Sequence, residues 1–135
     1  MNYEKFLALS LIIFVACQPS KEFDSGALKE EVMAIHDEVM PKMGELRKVR
    51  KAVMLLADSL MQINPDSAAM LTALADNIEG ANEGMMQWMR EYEPDYEGTE
   101  EEIKVYLEKQ KEAIERVKAA MDSSLAEGLK ALEQN

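Results

Sequence analysis

Apolar residues recur at alternating steps of three and four along most of this chain. In the first long segment they fall at Leu28, Val32, Ile35, Val39, Leu46, Val49, Val53, Leu56, Leu60 and Ile63, with only Lys42 interrupting the register. That period is the signature of one helix face turned toward a core. A second stripe runs through Leu71, Leu74, Ile78, Ala81, Met85, Trp88 and Tyr92. A third runs through Ile103, Leu107, Ile114, Val117, Met121, Leu125, Leu129 and Leu132. No stretch alternates with a period of two and β-branched enrichment, so the pattern predicts helices over 25–63, 65–92 and 99–133 and no strands.

The punctuation agrees with these boundaries. Asn64-Pro65-Asp66-Ser67 stops the first helix and starts the second, with Pro65 suited to the first helical position. Pro94, Gly98 and the acids between them end the second. Thr99-Glu100-Glu101-Glu102 has the spacing of a capping box. Short connections between consecutive long helices make antiparallel neighbours, so the expected fold is all-α: an elongated antiparallel three-helix, up-down-up bundle. Helices one and three would each run roughly 50 Å at 1.5 Å per residue. Such a body buries a continuous core and encloses little volume for a substrate.

The segment ahead of these helices is of another kind. A short polar start, Met1-Asn2-Tyr3-Glu4-Lys5, precedes a largely apolar run from Phe6 to Ala16 and then Cys17, the single cysteine. A run of that length is too short to span a bilayer and fits a secretory signal over 1–16. Phe14-Val15-Ala16-Cys17 resembles the lipobox of bacterial lipoproteins, with Phe14 where leucine is usual. The resemblance implies cleavage before Cys17, acylation of that residue, residence in the bacterial envelope and attachment to the membrane. Gln18 in place of Asp implies, in such lipoproteins, the outer membrane. Residues 17–24 then form a polar tether.

Charge and reactive groups narrow the function further. With 26 acidic against 15 basic residues and a net charge of −11, the chain lacks the basic face that nucleic-acid binding needs. One cysteine excludes an internal disulfide and CxxC sites, and one histidine excludes multi-histidine metal centres. Arg47, Lys48, Arg50 and Lys51 should fold back level with Asp76, Glu79 and Glu83 as solvated helix pairing. Gly80 and Gly84 mark either a close backbone approach, a bend, or simple tolerance. Glu91, Glu93, Asp95, Glu97, Glu100, Glu101 and Glu102 crowd one loop without the spacing of an EF-hand, and read as loop solvation and favourable charge at a helix N-terminus. No catalytic set is evident: adjacent His36 and Asp37 point to different helix faces, and Ser123 and Ser124 lack a base.

Eleven methionines remain to be explained. At 100° per residue, Met33, His36, Met40 and Met43 share an arc of roughly 80° beside the aliphatic seam. Counting back through the first turn brings Met40 near Met89 and Met43 near Met86, with Met85 and Trp88 at the same level. One reading is packing by a flexible side chain that fills irregular gaps, such as those a kink at Pro41 creates. The other is a soft Cu(I) site built from His36, Met40, Met43, Met86 and Met89, with the indole covering the ion.

The runs His36-Asp37-Glu38-Val39-Met40-Pro41-Lys42-Met43 and Ala81-Asn82-Glu83-Gly84-Met85-Met86-Gln87-Trp88-Met89, with Tyr106-Leu107-Glu108-Lys109-Gln110-Lys111 toward the C-terminus, resemble a family of small lipoproteins from Bacteroidota. Its members often carry the automatic label "viral A-type inclusion protein". The resemblance implies an α-helical envelope lipoprotein and supplies no activity. The sequence therefore leads to a non-enzymatic module without a cofactor that binds or scaffolds an envelope protein. Self-association through the broad apolar faces is a further expectation, and a copper carrier or sensor is the alternative.

Overall fold

A computed structural model describes residues 23–134. The signal segment 1–16, Cys17 and most of the tether lie outside the described residues. Every regular element among those described is helical: α1 Ser25–Val39, α2 Lys42–Leu60, α3 Pro65–Glu91 and α4 Glu100–Glu133. None is long and apolar enough to cross a membrane.

Three of the four helix starts carry side-chain caps. Asp24 accepts from the Ala27 N–H at 3.0 Å, which starts α1. Asn64 accepts from the Ser67 N–H at 3.1 Å, with Pro65 opening α3. At α4 the Thr99 hydroxyl accepts from the Glu102 N–H, and the Thr99 N–H donates to the Glu102 carboxylate at 2.8 Å, completing the capping box. These caps satisfy amides that a helix N-terminus leaves without internal partners.

The long helix expected over 25–63 is two helices. Proline has no N–H to give the Asp37 carbonyl, and its ring crowds the preceding turn. The chain therefore breaks at Met40 and Pro41, although both keep right-handed helical torsions. Met40 N–H still donates to the His36 carbonyl at 2.9 Å, and Met43 N–H makes a tighter-turn bond to Met40 at 3.3 Å. At the far end α2 stops at Leu60, so Ile63 lies in the turn and is 80% exposed rather than in the core.

The core follows the three stripes with small displacements. Val32, Val39, Leu46, Val53, Ile78, Met85, Ile114 and Met121 are completely buried. Met43 occupies the seam where Lys42 interrupts it, so this methionine is a core residue rather than one beside the seam. Leu129, expected on the stripe, is 41% exposed, because its neighbour Gly128 takes the buried position. A Cβ at Gly128 would lie 2.5 Å from Val49 Cγ1 and 3.0 Å from Ile78 Cδ1. Here the α4 backbone approaches α2 and α3 directly. Gly80 and Gly84 do nothing similar: a Cβ at either meets no atom within 4 Å, so neither marks a close backbone approach.

Polar contacts set the register between elements. Glu31–Lys111 at 2.6 Å, Glu38–Lys118, and Lys42–Asp122 at 2.5 Å each join residues 80 positions apart, so α1 and the foot of α2 advance along α4 together. Across the turn after α2, Arg50 Nε lies 3.1 Å from Glu79, matching the expected level. Glu83 instead pairs with Arg90 of its own helix at 2.6 Å.

Candidate functional site

The chemistry-bearing side chains gather where α1, α3 and the start of α4 meet. His36 comes from the last turn of α1 and Trp88 from the last turn of α3. Their rings lie 5.6 Å apart at 31°. Trp88 stacks on Tyr92 at 4.8 Å, and Tyr92 faces Tyr106 of α4 at 6.4 Å. Tyr106 in turn stacks on Tyr96 of the connecting loop at 4.2 Å and 8°. Five rings thus run from α1 to the loop before α4. Offset stacking of this kind adds about 0.5–1.5 kcal/mol per pair beyond area burial.

His36 corrects one sequence expectation. Its Nδ1 lies 2.9 Å from Asp37 Oδ1, although neighbours on a helix project about 100° apart. Side-chain length closes that gap. The imidazole is mostly buried, with 15% of its surface exposed, while Asp37 stays open to solvent. This contact holds the ring and leaves Nε2 as its other polar atom.

The methionines divide rather than converge as one class. Met43 and Met85 are core residues, and Met33 and Met89 pack partly buried against that core. Met40 and Met86 are 38% and 39% exposed. Imidazole and indole are therefore brought together as expected, and the five residues of the soft-metal reading range from core to surface. Among the described residues no group of three or more His, Cys, Asp or Glu side chains is arranged to hold a metal ion.

Next to the aromatic run lies an open cleft of about 360 Å³, which periodicity could not reveal because it is made by a loop. Ser25, Lys29, Glu93, Asp95, Tyr96 and Tyr106 are among its lining residues. Lys29 Nζ is 3.6 Å from Asp95 across it. The Tyr106 hydroxyl accepts from the Glu93 N–H at 2.6 Å and donates to the Glu93 carbonyl at 3.2 Å, tying the loop to α4. Burial pushes the phenols of Tyr92 and Tyr106 above the ordinary value of 10.0, with neighbouring acids and phenols adding to it. The buried Trp88 Nε1 and Tyr92 hydroxyl have no hydrogen-bond partner among the described residues.

No protein-family model, curated protein or solved structure matches the chain. The residues themselves therefore carry the functional reading.

Proposed function

We propose that this chain is a non-enzymatic lipoprotein of the bacterial envelope, anchored through Cys17, whose helical body binds or scaffolds another envelope protein. The observation that carries this reading is Phe14-Val15-Ala16-Cys17 closing an apolar run too short to span a bilayer. Multiple acyl chains would give stable anchoring where a single one is marginal. The body fits a scaffold: a continuous helical core and aromatic packing at one end.

The reading includes an up-down-up arrangement of the three helical arms, α1 with α2 forming the first. Support comes from the constant offset of 80 between α1 or α2 and α4, and from the Arg50–Glu79 pair across the intervening turn. Leu55, Met61, Ile63 and Met70 are exposed apolar side chains available to a partner or to a second copy. Sedimentation of the signal-free protein reads self-association directly.

Intact-mass analysis of the membrane-extracted protein is expected to show loss of residues 1–16 and acyl chains on Cys17. Cys17→Ser should abolish both and release the protein from outer-membrane fractions. An unprocessed, unacylated chain would end the anchor reading. Pull-down of the lipidated protein from membranes then identifies the partner. A hydrolase or transferase activity that a point substitution removes would overturn the non-enzymatic part.

A second reading, a Cu(I) carrier or sensor through His36, Met40, Met43, Met86 and Met89, is favoured by one observation. Asp37 on His36 Nδ1 is the carboxylate support that commonly orients a metal-binding imidazole. Anaerobic Cu(I) titration against a competing chelator decides it. Equal competition by wild type and by Met40→Leu/Met89→Leu would rule the site out.

A further inference from the structure

α1, next to the proposed anchor in sequence, is buried more sparsely than α2 or α3 and about as sparsely as α4. α1 contributes only Val32 and Val39 as buried residues. α2 contributes five and α3 eight. Pro41 interrupts the hydrogen-bond ladder between α1 and α2, which makes Met40 and Pro41 the place where the two helices can bend.

Alongside the burial of Val32 and Val39, charged pairs join α1 to its neighbours. Glu31 pairs with Lys111, Glu38 with Lys118, and Lys29 with Asp95. Lys42–Asp122 stands at the foot of α2, next to the break. The Glu31 carboxylate raises the Lys111 ammonium above its ordinary value of 10.5. Exposed pairs like these are weak singly and screened by salt.

The closed position also carries a cost. Trp88, which lies against His36 of α1, is buried with Nε1 unpartnered, and the stacked Tyr92 hydroxyl is in the same condition. Buried polar atoms without partners favour a state in which water reaches them.

We propose that α1 is a hinged arm, latched to α4 by lysine–carboxylate pairs, which opens about Met40 and Pro41 while α2, α3 and α4 stay packed. Opening exposes Trp88 and the stretch of α4 around Ile114, which lies between the two latch lysines. On the lipoprotein reading, the arm is also the element that continues into the anchor. Tension or local ionic strength at the membrane would then act on α1 first. The remaining bundle would stay folded and present a fresh apolar face.

Hydrogen exchange read by mass spectrometry on the full chain in mild detergent tests this. Amides in 28–39 are expected to exchange at least tenfold faster than those in 75–88, the ordering that a separately opening unit gives. Lys111→Gln/Lys118→Gln should speed exchange in 28–39 by roughly threefold to tenfold, the scale of two lost surface pairs. Exchange in 75–88 should stay within about twofold, since the remaining bundle does not open. Molar salt should act in the same direction. Acrylamide quenching of Trp88, the only tryptophan, should rise in parallel.

Equal protection of 28–39 and 75–88 overturns the arm, because α1 then belongs to one cooperative unit. Uniform acceleration across the chain in the Gln variant, or no acceleration in 28–39, overturns the latch. Should the double variant unfold, molar salt on the unaltered chain makes the same distinction. Cys17→Ser is expected to leave the exchange pattern unchanged, so loss of the anchor reading and loss of the arm are separate results.

Discussion

Alanine at Gly128 should destabilise this protein, although alanine is the better helix former. Gly128 lies in the interior of α4, with Val49 Cγ1 and Ile78 Cδ1 already occupying the space a methyl would need, at 2.5 and 3.0 Å. Carbon pairs are most favourable near 3.5–4.0 Å, so the Val49 contact must lengthen by about 1 Å. Val49 is β-branched and held to essentially one helical rotamer. Ile78 is completely buried. The strain therefore passes to the backbones of α2 and α4, and overpacking of this kind costs about 1–3 kcal/mol. The helix-propensity gain of Ala over Gly returns about 0.8–1 kcal/mol. A net loss of up to about 2 kcal/mol follows for Gly128→Ala.

The control lies in the same protein. Gly80→Ala and Gly84→Ala place a methyl where no atom lies within 4 Å, so each should gain up to about 1 kcal/mol. Urea unfolding followed by far-ultraviolet circular dichroism reads all three from the midpoint, provided the slope is unchanged. Val49→Ala combined with Gly128→Ala should cost less than the sum of the two single changes, with a coupling of about 0.5–3 kcal/mol, because the two groups contest one space. A Gly128→Ala variant stabilised as much as Gly80→Ala would refute the close approach.

Three further outcomes are expected. Thr99→Ala should lose about 1 kcal/mol of stability with its cap, and by NMR titration the Glu102 carboxyl, held below 4.5 first by the Thr99 N–H and then by its hydroxyl, should rise part of the way back. Tyr92 and Tyr106 titrate above 10.0 chiefly through burial, so the stability they confer is complete below that pH and is lost as pH rises through their folded values. Phenolate absorbance of Tyr92→Phe and Tyr106→Phe against the parent should show the late-titrating component disappear. Ile114→Ala, at a fully buried site, should cost about 2–5 kcal/mol, whereas Ile63→Ala in the exposed turn should stay within about 0.5 kcal/mol in the same urea assay.

What could be read from the sequence was what depends on short-range pattern. The Thr99 capping box, Pro65 at the start of α3, and the burial of Val32, Ile78 and Ile114 each follow from spacing within a few residues. Gly128 was invisible because its role is set by distance to α2 and α3, while Gly80 and Gly84 looked equivalent to it in sequence. The break at Pro41 was legible as a kink, but period counting ran straight through it and carried the helix to Ile63. His36 and Asp37 were separated by helix geometry applied to Cβ directions, and side-chain length reunited them. The cleft beside Tyr96 and Tyr106 depends on how a loop crosses a helix end, which no periodicity encodes.

These differences share a physical origin that bears on how such a body would serve as a scaffold. The core of α2 and α3 includes small residues, with Ala57 and Ala75 completely buried and Ala68 and Ala81 nearly so, and Gly128 brings α4 against Val49 and Ile78 of the same two helices. Small side chains let helix backbones approach closely, and close-packed apolar contacts are insensitive to salt and transmit strain. Between α1 and α4, lysine–glutamate pairs whose attraction salt weakens stand beside the buried Val32, Val39 and Ile114. On the proposed lipoprotein and hinged-arm readings, a rigid body on a charge-latched arm would keep its binding surface intact while the anchor moves, which a uniformly packed rod joined directly to a membrane would not do.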